Sequence, residues 1–175
     1  SLQQKEPIQW VWHGYIPAKG LALLTGLWKA GKTTLIAALL KGTASGGQLG
    51  GQEVASGRVL LVTEESLGQW QVRRDRFGLD ENVDVVSRPF RGKARWQEWE
   101  QFVDYVRELV VDRKYQLIVV DTLPSFWPVW DENDAAQAVR ALGVLHRWTE
   151  AGAAVGLVHH PRKGDATEGQ AARGS

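Results

Sequence analysis

Cysteine and methionine are both absent from this 175-residue chain. Without cysteine there is no disulfide, no thiolate zinc site and no cysteine nucleophile, a composition that fits a reducing compartment. A translated protein begins with methionine and this chain begins at Ser1, so it is expected to be an excised or processed piece of something longer. An excess of one charge is lacking too. Lys and Arg number 21 against 20 Asp and Glu, a formal charge of +1, so bulk charge announces neither a nucleic-acid binder nor an acidic spacer. Long apolar runs are missing: stretches such as AGAAVGLV (151–158) fall far short of the roughly 18 residues of a membrane span. The opening SLQQKEPIQW has no apolar core of a signal peptide. These absences exclude a helical membrane protein and lead us to expect a cytoplasmic one. No internal repeat is present. What remains is an ordinary globular composition, 43% hydrophobic and 23% charged, at a length that fits one domain, 1–175, able to bury a core without staples.

Along the chain, apolar runs alternate with helical patterns. LALLT (21–25), RVLLVTE (58–64), QLIVVD (116–121) and AAVGLV (153–158) read as strands, and NVDVVSR (82–88) as a weaker one. A helix is expected after residue 31, another over LGQWQVRRDRF (67–77), and an amphipathic one carrying Trp96, Trp99, Phe102, Val103, Val106 and Val110 at helical spacing. Ala135, Ala138, Val139, Leu142 and Leu145 mark a further helix, with the acids between Asp131 and Asp134 to cap it. The Gly-rich segment from Gly42 to Gly57 reads as a flexible loop. Alternating strands and helices imply an α/β fold: a three-layer α/β/α sandwich around a mostly parallel sheet. The strands are continuously apolar, as strands covered on both faces are. In such sheets ligands bind at the carboxyl ends of the strands.

The first apolar run leads into Gly26-Leu27-Trp28-Lys29-Ala30-Gly31-Lys32-Thr33, followed by Thr34. This is G-x-x-x-x-G-K-S/T, the phosphate-binding loop. Glycines let successive backbone N–H groups face one concavity, and the helix that follows adds its positive end. Lys32 places a cation on the β- and γ-phosphates, and Thr33 offers a hydroxyl to Mg²⁺. Trp28 either covers the loop or touches the adenine. Asp121 closes QLIVVD at the carboxyl end of a strand, the position of a carboxylate that holds Mg²⁺ through its water shell. Glu64 and Glu65 end the second run, where a carboxylate can polarise a water in line with the γ-phosphate. His159 and His160 are adjacent, so in an extended chain they point to opposite sides. As a zinc pair they would need further ligands, and the tail offers only Asp165 and Glu168. The reading preferred is that one histidine faces the phosphates as a donor. Of the nine tryptophans, Trp96 and Trp99 are expected in the core. Trp127 and Trp130, on a Pro-bearing loop, either stack on bases or pack against a neighbouring subunit, and packing is favoured.

Taken in order, LLTGLWKAGKTT, VLLVTEES, LIVVDTL, DEND, VGLVHHPRK and ARGS resemble the RecA-like ATPases. Within them the likeness is to the hexameric, replicative-helicase-like branch (RepA/DnaB type, AAA ATPases) with a His-His-x-x-Lys segment. The resemblance implies a RecA-like P-loop NTPase core whose closing strands are missing from this chain. It implies ATP and Mg²⁺ as cofactors. Gly26 to Thr34 would bind nucleotide, Thr33 and Asp121 the metal. Lys32, Glu64 and His160 would be catalytic, with Glu64 the base, Glu65 the fallback and His160 the γ-phosphate sensor. Lys163 and Arg173 fall where the family places cations at a subunit interface or nucleic-acid channel. The family's arginine finger acts across a subunit boundary, beyond the Arg-Gly-Ser where this chain stops.

Three functions follow in order of preference. The first is the ATPase motor domain of a helicase-like, DNA-associated homo-oligomer, a ring or filament and by expectation a hexamer, with single-stranded DNA as partner. The second is a non-motor RecA-like ATPase with a regulatory or recombination-mediator role. A nucleotide-dependent kinase comes third, because no acceptor-site or lid motif is evident.

Overall fold

The computed structural model of the chain describes residues 7–26, 31–131 and 133–159. Two sheets are present. The larger has five strands, β3 (Leu21–Thr25), β6 (Arg58–Thr63), β7 (Val83–Ser87), β8 (Tyr115–Asp121) and β9 (Ala154–His159), in the order β3-β9-β8-β6-β7. Every pairing in it is parallel. The smaller is antiparallel, with strands β1 (Trp10–Trp12), β2 (Ile16–Pro17), β4 (Gly47–Leu49) and β5 (Gln52–Val54) in the order β2-β1-β5-β4.

Alternation along the central strands sorts their side chains to two faces. Leu60, Val62, Ile118, Val120, Val155 and Leu157 join one buried cluster. Val59, Leu61, Leu117, Val119, Ala154 and Val158 join the other. The second face is covered by α1 (Lys32–Ser45), α2 (Leu67–Phe77) and the small sheet. On the first lie α3 (Trp96–Arg113), α4 (Ala135–Gly143) and α5 (His146–Glu150). This is the three-layer α/β/α arrangement around a parallel sheet. Trp99 and Trp148 are fully buried between α3, α4 and α5, and each indole finds a carbonyl, Ala141 at 3.2 Å and Val103 at 2.8 Å. That satisfies the polar edge that burial would otherwise leave unpaired. Trp96, half-buried, stacks under the Arg140 guanidinium at 4.0 Å.

Local signals explain the helix ends. Ser66 and Gln69 form a reciprocal capping box at the start of α2. Asp134 accepts from the N–H groups of Ala136 and Gln137 at the start of α4.

Two expectations change. Gly42 to Gly57 is not a loose loop: its first residues close α1, and β4 and β5 pair across Gly50-Gly51. Both turn glycines have positive φ, 60° and 76°, the conformation that a two-residue hairpin turn demands. The strand β3 is not covered on both faces. Among the described residues it is the sheet's edge, and Leu23 is 62% exposed.

Candidate functional site

The carboxyl ends of the five parallel strands lie along one edge. Thr25 pairs with His159, and Thr63 pairs with both Asp121 and Ser87. The candidate residues that are described gather there. Leu27, Trp28, Lys29 and Ala30 lie outside the described residues, as do His160, Arg162, Lys163 and Arg173.

At the β3 end, Gly26 accepts a hydrogen bond from the Lys32 ammonium through its carbonyl. A Cβ on Gly26 would stand 3.5 Å from Lys32 Cδ and Nζ, in ordinary contact, so the lysine side chain lies directly against this strand end. Gly31 sits at φ 79°, a left-handed conformation that a residue with a Cβ adopts at a cost. It is the N-cap of α1, supplies no side-chain acceptor, and no acid follows in the first turn. A helix start built this way suits an external anion. Lys32 and Thr33 are half-buried in that first turn and Thr34 is exposed.

On β8, Asp121 is 7% exposed. Burial, then the charges of Glu65 and Glu64, push its carboxyl up to about 6, while Arg73 and Lys32 oppose the rise. A buried carboxylate beside two more carboxylates is poorly compensated. A divalent cation suits Asp121, a buried carboxylate whose two glutamate neighbours outweigh the opposing Arg73 and Lys32 charges, and Thr33 in the first turn of α1 carries a hydroxyl, an oxygen of the kind Mg²⁺ takes. Among the described residues there is no cluster of three or more His, Cys, Asp or Glu to cage a metal alone. Mg²⁺ in nucleotide sites rests on one or two side chains plus phosphates.

Glu64 and Glu65 follow β6 and take different partners. The Glu64 N–H donates to the Asp121 carbonyl at 3.1 Å, and its carboxylate accepts from the Thr122 hydroxyl at 3.4 Å and from the Ser125 hydroxyl. Glu65 makes a two-armed ion pair with Arg73 of α2, one arm measuring 2.8 Å. The Glu65 N–H donates to the Thr63 hydroxyl oxygen at 3.1 Å, which also accepts from the Trp70 indole at 3.2 Å. From the neighbouring strand, the Ser87 hydroxyl donates to the Glu65 carbonyl at 2.7 Å and Arg88 Nε to the Glu64 carbonyl at 2.9 Å. The Glu64-Glu65 backbone is thereby tied to β7 and β8, while only Glu65 has its charge matched by an arginine.

Thr63, Arg73, Ser87, Arg88, Thr122 and Ser125 were not singled out by sequence reasoning. The Thr and Ser following Asp121 carried a weak signal, since hydroxyls at strand ends line such crevices. Trp127 is buried, 6% exposed, and its ring meets His159 edge-on at 6.5 Å. It packs within its own chain, which is neither the base stacking nor the packing against a neighbouring subunit that was expected. Trp130 is 71% exposed.

The family described as AAA domain matches residues 1–166. No curated protein sequence matches the chain. Solved structures do, with 111 matching chains. One is the crystal structure of a KaiC-like protein from the hyperthermophilic archaeon Pyrococcus horikoshii, similar over 89% of this chain and 73% of that one, with a TM-score of 0.61 and 20% identity. At that identity the likeness speaks for the fold.

Proposed function

The chain belongs to the AAA domain family, as a RecA-like P-loop ATPase domain, and from that premise we propose that it binds Mg²⁺–ATP and hydrolyses it as the motor domain of a helicase-like, DNA-associated homo-oligomer. The observation that carries the nucleotide site is the meeting of Gly26, Gly31, Lys32, Asp121 and Glu64 at one sheet edge. Residues Gly26 to Thr34 cradle the phosphates, and the Lys32 ammonium leaves the Gly26 carbonyl for the β- and γ-oxygens. Thr33 and Asp121 hold Mg²⁺, which when bound neutralises charge on the phosphates. Glu64 orients the attacking water and takes its proton. His160 acts as the γ-phosphate sensor.

Glu64 is preferred to Glu65 because the Arg73 pair occupies both Glu65 oxygens. Glu64 is exposed and held by two neutral hydroxyls, which an incoming water displaces more readily than it displaces an ion pair.

The oligomeric part of the proposal is a ring or filament with nucleotide at its interfaces, a hexamer in the helicase-like case, in a cytoplasmic setting. No helix among the described residues is long and apolar enough to cross a membrane. Magnesium-dependent phosphate release, lost in Glu64→Gln, tests the ATPase assignment. ATP-driven displacement of a paired strand tests the motor role. Turnover without displacement would leave the non-motor regulatory ATPase.

A further inference from the structure

The segment joining β7 to α3 reads Arg-Pro-Phe-Arg-Gly-Lys-Ala-Arg, from Arg88 to Arg95. It holds four cations and no acid in a chain whose net charge is +1. The segment is pinned. Ala94 is fully buried and its N–H donates to the Phe126 carbonyl at 3.3 Å. Phe90 meets the Phe102 ring edge-on at 5.2 Å and lies 6.5 Å from the rings of Trp99 and Phe126. The backbone that carries the cations is therefore anchored on a packed aromatic base and loses little further freedom on binding.

Between this segment and α3 runs an open groove of about 700 Å³ whose lining includes Arg91, Lys93, Arg95, Glu98, Phe102 and Tyr105. Arg91 is exposed and makes no ion pair among the described residues. The Arg95 side chain is 84% exposed and leans on Glu98 at 3.1 Å, a surface pair that costs little to exchange. Flat rings stand beside the charges: Tyr105 is 53% exposed, and Trp130, 71% exposed, lies under the Lys93 ammonium at 5.5 Å.

Cations interleaved with exposed aromatic faces suit one kind of polymer. Phosphodiesters take the charges and unpaired bases stack on the rings. An acidic peptide would use the charges and leave the rings idle. The 88–95 segment is also tied to the nucleotide site: Arg88 Nε donates to the Glu64 carbonyl, and the Ala94 N–H donates to Phe126, the residue after Ser125, which holds the Glu64 carboxylate. We propose that the groove between the 88–95 segment and α3 binds single-stranded nucleic acid, with Arg91 and Lys93 on its phosphates and Tyr105 and Trp130 against its bases. The inference rests on the DNA-associated reading above and adds the surface that meets the strand.

Fluorescence anisotropy with a labelled oligothymidylate about 20 nucleotides long, across a salt series and with a non-hydrolysable ATP analogue, tests it. The Arg91→Ala, Lys93→Ala double variant of the full chain is expected to bind about tenfold more weakly or worse. Its log–log salt slope should be shallower by about 1.4, at about 0.7 for each phosphate no longer neutralised. Tyr105→Ala is expected to weaken binding with the slope unchanged, since it removes stacking and no charge. Circular dichroism melting of each variant separates weakened binding from a failure to fold. If the double variant binds with wild-type affinity and slope, the groove assignment is overturned and the DNA-associated reading stands. If the wild-type chain hydrolyses ATP but binds no oligonucleotide in any nucleotide state, both are overturned. A polyglutamate competitor that binds tighter than the oligonucleotide would reassign the groove to an acidic protein partner.

Discussion

The Ser125 hydroxyl donates to the Glu64 carboxylate from 61 residues away in the chain. The other Glu64 oxygen accepts from Thr122, so both oxygens of the proposed base are engaged by hydroxyls of the segment that follows Asp121. A base needs an open lone pair for the water it activates. Hydrogen bonds to a charged acceptor are worth about 1.5–3 kcal/mol, and removing one frees an oxygen. Ser125→Ala is expected to raise basal ATP turnover several-fold with KM little changed, as steady-state phosphate release would show. An unchanged rate would mean that the hydroxyl is released before the water is activated.

The two adjacent glutamates are expected to separate cleanly. Glu64→Gln should lower turnover by about a hundredfold or more while ATP still binds. Glu65→Gln should retain turnover and melt a few degrees lower. It leaves the Arg73 guanidinium, 23% exposed, without its counter-charge, a loss of about 1–2 kcal/mol between the surface and buried limits. Paired turnover and melting measurements read both effects. Abolished turnover in Glu65→Gln alone would shift the base by one residue.

Lys32→Ala removes the ammonium facing the β- and γ-phosphates. Nucleotide affinity should fall about tenfold or more, since a charge-assisted hydrogen bond is worth about 1.5–3 kcal/mol. Isothermal titration with ATP and Mg²⁺ checks this, and equal affinities would remove Lys32 from the site.

Asp121 carries a pH signature. Its carboxyl titrates near 6 in the folded chain against an ordinary 3.8. Between those values the folded state holds a proton that the unfolded state has lost, so stability falls as pH rises from about 4 to about 6. The cost above pH 6 is roughly 3 kcal/mol at about 1.4 kcal/mol per unit. Asp121→Asn should therefore melt higher than wild type at pH 7.5 without Mg²⁺ or nucleotide, and the gap should close toward pH 4. Mg²⁺–ATP should raise the wild-type melting temperature at pH 7.5 more than the variant's.

Assembly should be visible in the kinetics. Past β8, the arginines among the described residues are Arg140 and Arg147, engaged with Glu100 and Asp104 of α3 at 3.9 and 2.9 Å. An arginine supplied by a neighbouring subunit is worth 10³–10⁵ in rate in phosphoryl transfer. Specific activity is therefore expected to rise with protein concentration, in step with association seen by sedimentation. Full-rate hydrolysis by a strictly monomeric chain would exclude the interface mechanism.

The sequence by itself determined whatever is local. Continuous apolar runs defined β6, β8 and β9, because strands buried on both faces need no polar alternation, and the run LALLT marked the edge strand β3. Helical spacing defined α3 from Trp99, Val103, Val106 and Val110. The phosphate loop and the terminal Asp121 were legible because each is a contiguous motif at a strand end. The two- and three-residue strands β1, β2, β4 and β5 escaped because so few residues carry no readable period. The Gly50-Gly51 turn was there to be read, but the surrounding glycines masked it.

Only the tertiary structure decided how the acids differ. Glu64 and Glu65 are chemically identical neighbours, and nothing in their spacing says which meets a cation. That depends on α2 bringing Arg73 to Glu65 and on the segment after β8 bringing Thr122 and Ser125 to Glu64. The elevated Asp121 carboxyl likewise follows from strand order. Pairing β8 beside β6 places the buried Asp121 carboxylate beside those of Glu64 and Glu65, and charge interactions depend on distance through space rather than along the chain.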